Sequence, residues 1–297
     1  MKNKFSRREA LKNIALGTGA IGLGSLLSSF STSEEIVRKS VSTSKSRINH
    51  SVCRWTFQDM PLEKLAAECS KMGISAIDLL RPSEWEIVEK YGLKCSMATD
   101  SFASIEHGFN DPENHAELQK NYKELIEQAS KQGIKNVICF SGNRNGMDEQ
   151  TGIKNCAKGL LPLLEYAEAR DVTLVMELLN SKVNHPDYLC DHTEWGVALA
   201  KEMGKDNFKL LYDIYHMQIM EGDVIATIRK YHPYINHYHT AGVPGRNEID
   251  ETQELFYPAI IRAIAETGFE GYVAQEFMPT YPDKLGALKA AIEICDV

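Results

Sequence analysis

The sequence predicts an α/β fold, a single-domain (β/α)8 TIM barrel. Short apolar runs alternate with segments of helical periodicity from about residue 49 to the end of the chain, which gives eight strand–helix units. Strands that are joined through helices must be parallel, and eight such units close into a barrel ringed by helices. No glycine-rich phosphate loop follows the first apolar run, which argues against an open, doubly wound sheet.

The first 33 residues differ in composition from the rest of the chain. A basic start that contains Arg7 and Arg8 is followed by an apolar stretch over 14–27 and then by a serine-rich exit. This order resembles a twin-arginine export signal, although Ala10 departs from its usual pattern. The apolar stretch is shorter than the ~20 residues that cross a bilayer core. We therefore expect residues 1–33 to engage the twin-arginine translocase and to direct the protein to the periplasm, with the cleavage site left open.

A linker over 34–48, rich in Ser, Thr, Lys and Arg, separates this segment from the predicted barrel at 49–297. The first four strands are predicted at 51–57, 74–80, 93–99 and 136–141, and the helices that follow them at 62–72, 84–91, 113–132 and 149–169. Apolar residues recur at helical spacing in the helical segments, and Gly73, Gly92 and Gly133 end three of them.

The second half of the barrel repeats the same alternation. Its strands are predicted at 172–179, 208–215, 235–240 and 272–277, and its helices at 193–203, 224–231, 255–267 and 284–295. Gly204 and Gly268 end two of these helices.

The composition is that of a globular protein and limits the classes of partner. Hydrophobic residues make up 43% of the chain and charged residues 25%, which argues against a disordered or fibrous chain. The net charge of −8 argues against a nucleic-acid partner, because phosphate contacts need clustered cations. The seven cysteines are scattered and contain no C-x-x-C pair, so we expect small buried side chains rather than a disulfide framework.

Each of the last four predicted strands ends in a carboxylate or an imidazole. These residues are Glu177, Asp213, His239 and Glu276, and each interval between them is close to one strand–helix repeat. In a barrel, the C-terminal strand ends carry the catalytic side chains, and equivalent positions converge on the axis. A single acidic residue at a strand end is often a helix cap or a solvated residue, but four in register are hard to explain in that way.

The convergence of these residues predicts a metal site. Three carboxylates in one pocket repel one another unless a cation neutralises them. Oxygen-rich ligation with one imidazole favours Mn²⁺ or Mg²⁺, and Co²⁺ or Zn²⁺ are the alternatives.

Four segments resemble the hydroxypyruvate isomerase family, which belongs to the xylose-isomerase-like barrels together with ketose 3-epimerases and inosose dehydratases. The segments are 174–180 (LVMELLN), 211–218 (LYDIYHMQ), 237–248 (HYHTAGVPGRNE) and 257–280 (YPAIIRAIAETGFEGYVAQEFMPT). The resemblance is strong over about 170–297 and weaker over 49–169.

The resemblance implies roles for individual residues. It implies that the four strand-end residues bind the metal ion and that two of them form an acid–base pair. It also implies that residues in the segments after two of the strands contact the substrate. The acid–base pair is Glu177 and Glu276, and the substrate-contact residues are His216, Arg246 and, in the same R-x-E motif, Glu248.

One position and one segment depart from that family. Hydroxypyruvate isomerases usually carry Gln where this chain has His239, and residues 249–253 replace a Pro-Gly-Thr-Gly run beside the substrate. We therefore expect a sugar or keto-sugar, or a related keto acid, rather than hydroxypyruvate itself as the substrate.

The predicted reaction is isomerisation or epimerisation of an α-hydroxycarbonyl compound through an enediolate, with a metal ion as Lewis acid. Two other classes are open: a non-catalytic sugar-binding barrel, and a phosphodiesterase of the endonuclease IV type, which would need more histidines and a basic groove. Arg246 could instead pair with Glu248 at the rim. The sequence leaves the oligomeric state open.

Overall fold

The structure is a computed structural model that describes residues 48–297. The predicted export signal at 1–33, and all but the last residue of the predicted linker at 34–48, lie outside the described residues. Among the described residues, no helix is both long enough and apolar enough to span a membrane.

Eight parallel strands form one sheet. In chain order they are β1 (Asn49–Cys53), β2 (Ala76–Asp78), β3 (Lys94–Cys95), β4 (Asn136–Cys139), β5 (Thr173–Glu177), β6 (Phe208–Asp213), β7 (Ile235–Thr240) and β8 (Tyr272–Gln275). Their order in the sheet is β3-β2-β1-β8-β7-β6-β5-β4. The strands therefore follow one another around the sheet in the order of the chain, as the sequence predicts.

The sheet closes into a barrel between β3 and β4 through the backbone of one residue. Ala98, just after β3, forms parallel bridges with both Leu80 and Val137. Its amide donates to the carbonyl of Asn136 at 2.8 Å, and its own carbonyl accepts from the amide of Ile138 at 3.1 Å. The predicted (β/α)8 TIM barrel is thus confirmed.

Nine α-helices surround the barrel or lie at its C-terminal end. They are α1 (Leu62–Met72), α2 (Pro82–Glu89), α3 (His115–Lys131), α4 (Glu149–Glu168), α5 (Thr193–Met203), α6 (Ile214–Met220), α7 (Val224–Tyr231), α8 (Tyr257–Glu266) and α9 (Lys284–Cys295), counted over the described residues.

All four predicted strands in the first half are shorter in the structure than expected, and two of them show why. The strand predicted at 51–57 ends at Cys53, and a 3₁₀ helix, Arg54–Phe57, takes its place. The hydroxyl of Thr56 donates to the carbonyl of Cys53 at 3.0 Å, which turns the chain out of the sheet. The strand predicted at 93–99 is reduced to β3, because beyond it only single residues pair with the neighbouring strands.

The strand predicted at 208–215 ends early because an unpredicted helix, α6, begins there. Asp213 is the N-cap of α6, and its Oδ1 accepts a hydrogen bond from the backbone amide of His216 at 3.1 Å. A carboxylate in this position satisfies an amide that would otherwise lack a partner in the first helical turn.

The apolar core lies between the strands and the outer helices. In α1 the buried residues are Leu62, Leu65, Ala66 and Cys69, which share one helix face. The helix ends at Gly73, whose φ of +80° is a left-handed conformation that glycine adopts without steric cost. All seven cysteines are buried and unpaired, as the sequence predicts.

Side chains along β7 alternate between the two sides of the barrel wall. Tyr238 packs on Phe269 with ring centroids 4.8 Å apart, whereas His237 and His239 both approach Asp78 of β2. This two-residue period places both histidines on the side of the wall that faces the candidate site.

Candidate metal and active site

Four side chains converge at the C-terminal end of the barrel. They are the residues at the ends of β5 to β8, namely Glu177, Asp213, His239 and Glu276. One ligand atom from each lies within 4.8 Å of the ligand atoms of the others. None of the four side chains is more than 6% exposed. The structure thus brings together the four residues that the strand ends predict, and we call them the ligand cluster.

The imidazole of His239 lies between two glutamates of the ligand cluster. Its Nδ1 is 2.9 Å from Oε2 of Glu276 and 3.2 Å from Oε1 of Glu177. Both Nδ1 of His239 and Oε1 of Glu177 are buried and make no hydrogen bond to the described residues. Buried polar atoms normally have partners, so these two atoms have ligating capacity that the protein does not use.

The ligand cluster fits a divalent cation. Three carboxylates in one buried pocket are stable together only with positive charge among them. Carboxylate oxygens with one imidazole nitrogen are ligands that hard or borderline divalent ions accept. The chemistry of the donor set and the two unpartnered atoms therefore agree with the predicted metal site.

Arg246 supplies positive charge to the same pocket. Its Nη2 is 2.5 Å from Oε2 of Glu276 and 3.4 Å from Oδ2 of Asp213. The guanidinium carbon lies 5.1 Å from the ring centroid of Trp55 and 5.5 Å from that of Tyr215, within the range of cation–π contact. Arg246 thus pairs with the ligand cluster, and the alternative of a rim pair with Glu248 is not what the structure shows.

Burial and charge shift the pKa values in the ligand cluster in opposite directions. Burial raises the pKa of Glu177, and it raises the pKa of Asp213 well above its usual value. Burial would also raise the pKa of Glu276, but the charges of Arg246 and His239 outweigh it and hold that pKa well below its usual value. The two glutamates thus differ in their environments, as acid–base pairs commonly do.

His216 presents one imidazole nitrogen to the ligand cluster. Its Nδ1 accepts a hydrogen bond from the backbone amide of Asn180 at 3.1 Å, so the proton of the neutral ring is on Nε2. This Nε2 lies 3.6 Å from Oδ2 of Asp213 and is buried without a hydrogen bond. Burial, reinforced by the charge of Arg246, lowers the pKa of His216 well below its usual value. His216 therefore offers a neutral N–H donor beside the cluster.

Glu248 is not brought together with the other predicted site residues. Its Oε1 accepts hydrogen bonds from the amides of Thr280 and Tyr281 at 2.5 and 2.9 Å, and its Oε2 accepts from the hydroxyl of Thr280 at 2.8 Å. These contacts join the loop after β7 to the loop after β8. A substrate contact of Glu248 stays a prediction.

Sequence reasoning missed two residues that contact the cluster. The indole Nε1 of Trp55 donates to Oε1 of Glu276 at 2.8 Å. Asp78, the last residue of β2, has its Oδ2 at 2.8 Å from Nε2 of His239. The signal for Asp78 is the one that identifies the ligand cluster, a carboxylate that ends an apolar strand, applied to the first half of the chain. Trp55 gives no comparable signal.

The chain matches one protein family over most of its length. The matching family is described as "Xylose isomerase-like TIM barrel", and the match covers residues 55–294.

Curated relatives at modest identity are isomerases by name. The chain is 25% identical over 232 residues to hydroxypyruvate isomerase of Escherichia coli (strain K12), which covers 74% of this chain and 88% of that protein. It is 25% identical over 243 residues to 2-oxo-tetronate isomerase of Pectobacterium atrosepticum, and this alignment covers 75% of this chain and 88% of that protein. A 2-oxo-tetronate isomerase of Cupriavidus necator is 36% identical over 113 residues, and this alignment covers 38% of this chain and 43% of that protein. Several alignments span less than half of the relative. The names support the prediction of an isomerase.

Solved structures resemble the chain in fold. AP endonuclease, family 2, from Brucella melitensis has a TM-score of 0.73 at 22% identity and covers 80% of this chain and 96% of its own. D-psicose 3-epimerase from Clostridium cellulolyticum H10 has a TM-score of 0.70 at 17% identity, and it covers 84% of this chain and 98% of its own. At these identities the likeness establishes the fold.

Proposed function

The chain belongs to the xylose isomerase-like TIM-barrel family, and from that premise we propose that it is a divalent-metal-dependent sugar or keto-sugar isomerase or epimerase. The observation that carries the proposal is the buried ligand cluster, with one carboxylate or imidazole from each of four consecutive strand ends. The relatives' names support the reaction class. Hydroxypyruvate and 2-oxo-tetronate both carry a hydroxyl group on the carbon next to a keto group.

The ligand cluster would hold the metal ion, and its oxygen-rich composition favours Mn²⁺ or Mg²⁺. When bound, such an ion supplies Lewis-acid stabilisation of the negative charge that develops on substrate oxygens after proton removal. The proton transfers and the substrate contacts are the task of side chains of the chain itself.

Glu177 and Glu276 are the groups that transfer protons. One carboxylate takes the proton from the carbon beside the carbonyl group, and the other returns a proton to the opposite face or to the adjacent carbon. When the adjacent carbon is protonated, a proton also passes from the substrate hydroxyl oxygen to the former carbonyl oxygen. Trp55 and Arg246 hold both oxygens of Glu276 in place, at 2.8 and 2.5 Å. Glu177 is held less firmly at its buried Oε1, which makes no hydrogen bond to the described residues.

His216 and Arg246 orient the substrate. The Nε2–H of His216 is an unpaired buried donor that can bind a hydroxyl or carbonyl oxygen. Arg246 uses Nη2 for the cluster, while its buried Nε makes no hydrogen bond to the described residues. A guanidinium with free N–H groups can bind a substrate oxygen or carboxylate.

Deuterium exchange tests the proposal directly. The Mn²⁺-loaded protein is incubated in D₂O with ketoses, 3-keto sugars, hydroxypyruvate and 2-oxo-tetronate, and NMR follows deuterium incorporation. We expect exchange at a single C–H of one substrate class. Glu165→Gln, a change on the exposed face of α4, should exchange like the wild type.

Two results would contradict the proposal. Metal binding without exchange on any substrate would favour a non-catalytic sugar-binding barrel. Cleavage of DNA at abasic sites by the same preparation would favour a phosphodiesterase.

A further inference from the structure

A buried carboxylate outside the ligand cluster contacts its histidine. Asp78 is fully buried, and its Oδ2 lies 2.8 Å from Nε2 of His239. Its Oδ1 accepts a hydrogen bond from the hydroxyl of Ser96 and lies 3.1 Å from Nε2 of His237. The proton transfers proposed above do not use this carboxylate, yet three neighbouring side chains fix its position.

The two nitrogens of His239 face different groups. Nε2 faces Asp78, whereas Nδ1 faces Glu177 and Glu276 of the ligand cluster. A carboxylate accepts but does not donate a hydrogen bond, so the ring proton on the Asp78 side belongs to Nε2. Nδ1 faces the ligand cluster, so a cation that binds there takes the place of any proton on Nδ1 and meets its lone pair.

We propose that Asp78 is a positioning residue of the metal site, which holds the ring of His239 in the orientation and tautomer that ligation through Nδ1 requires. This inference rests on the proposed function, because it presumes that the ligand cluster binds a divalent ion. Histidine ligands commonly donate their second N–H to a carboxylate, and loss of that partner typically weakens metal binding 10–100-fold.

Cys53 does not replace Asp78 in this role. Its Sγ lies 3.7 Å from Nε2 of His239 and 3.6 Å from Oδ2 of Asp78, and a thiol is a weak acceptor. The 2.8 Å separation between Asp78 and His239 is a hydrogen-bond distance. We therefore assign the contact between Asp78 and His239 as a hydrogen bond that orients the ring.

Metal titration of the full chain tests the proposal. Isothermal titration of the metal-free protein with Mn²⁺ should give a dissociation constant 10–100-fold higher for Asp78→Asn than for the wild type. The matched control is Asp191→Asn, which neutralises another buried carboxylate, held by Arg144 and Ser181. Asp191→Asn should bind Mn²⁺ like the wild type, and an unchanged affinity in Asp78→Asn would overturn the proposal.

A second variant covers the case in which Asp78→Asn does not fold. Ser96→Ala removes only the hydroxyl that holds Oδ1 of Asp78, so it should weaken Mn²⁺ binding in the same direction but less. If Asp78→Asn fails to fold, wild-type affinity in Ser96→Ala overturns the proposal.

The histidine nitrogens give a readout that needs no metal. In long-range ¹H–¹⁵N spectra of the metal-free protein, with the His239 signal identified by its loss in His239→Gln, Nε2 should carry a proton. Replacing Asp78 or Ser96 should shift that signal, and an unshifted signal refutes the positioning role even if the wild type binds no Mn²⁺. Absence of Mn²⁺ binding by the wild type would refute the proposed function alone.

Discussion

Arg246 is in contact with two carboxylates of the ligand cluster, Glu276 and Asp213, and only 12% of its side chain is exposed. In the chain without a metal ion, this guanidinium supplies positive charge that three clustered acidic side chains need. Removing one partner of a buried ion pair is strongly destabilising, because the other charge is left without compensation. Arg246 therefore contributes to stability as well as to substrate orientation.

We predict that Arg246→Met lowers the free energy of unfolding of the metal-free protein by about 3 kcal/mol. Methionine keeps an apolar stem of similar reach but removes the charge. Excess Mn²⁺ should recover much of the loss, because the ion supplies the missing positive charge. Urea unfolding with Mn²⁺ and with a chelator measures both values.

The control for this prediction is Arg170→Met, which removes an arginine paired with Glu127 outside the site. Its effect should be about 1 kcal/mol or less and independent of Mn²⁺. An equal loss with and without Mn²⁺ in Arg246→Met would show that packing rather than charge explains its effect.

Substitutions of the two glutamates of the ligand cluster are predicted to differ in their effect on deuterium exchange. Glu177→Gln and Glu276→Gln each keep an oxygen for the metal but remove a base, so each should lower turnover roughly 10²–10⁴-fold with the ion largely retained. The variant that lacks the abstracting base should also lose deuterium exchange, whereas the other can keep exchange and lose only product formation. Near wild-type turnover in either variant would exclude the two-glutamate mechanism and direct attention to His216.

At the level of elements, the junction of β6 and α6 relies on one side chain for several tasks. Asp213 ends the strand, caps the helix through the amide of His216 and belongs to the ligand cluster. An aspartate can do all of this because its short side chain reaches the first helical amides with one oxygen and leaves the other for a second partner.

We predict that Asp213→Ala loses the metal, whereas Asp213→Asn, which keeps an oxygen for the metal, retains more of it, and that the two variants differ in stability. Asparagine caps a helix as well as aspartate does, whereas alanine loses about 1 kcal/mol of helix stability. Elemental analysis of the purified variants measures metal content, and urea unfolding measures stability. Full metal occupancy in Asp213→Ala would remove Asp213 from the ligand set.

The periodicity of the sequence predicts most of the elements because strands joined through helices leave repeated, regular signals. The short helix α6 and the 3₁₀ helix Arg54–Phe57 escape that analysis, since each depends on a side-chain hydrogen bond at the end of a strand. A hydrophobic pattern does not record such a bond. Apolar residues continue past the strand ends in both places, so the strands look longer in the sequence than in the structure.

The ligand cluster was predictable because barrel geometry converts equal positions along the chain into proximity. Contacts that cross the barrel leave no regular spacing in the sequence. Asp78 and His239 are 161 residues apart, and Trp55 and Glu276 are 221 apart. Only the fold brings these pairs together, so neither contact follows from spacing.

At the level of the whole molecule, export is a prediction about residues outside the described part of the chain. Residues 1–33 fused to a folded reporter should carry it to the periplasm, and replacement of Arg7 and Arg8 by Lys should stop export. Fractionation of cells that express the two fusions measures the outcome. Unchanged export of the Lys–Lys fusion would contradict a twin-arginine route.

The burial of all seven cysteines would protect their thiols from oxidation if the chain works outside the reducing cytoplasm. A thiol reacts with oxidants as its thiolate, and burial raises the pKa of the thiols, for example to about 12 in Cys69 and Cys295. A chain that folds before export would cross with every thiol already protonated and shielded. The oxidation state of its thiols would then depend on their burial in the folded barrel rather than on the compartment. The protein could therefore function in an oxidising environment without disulfide bonds or an enzyme that corrects them.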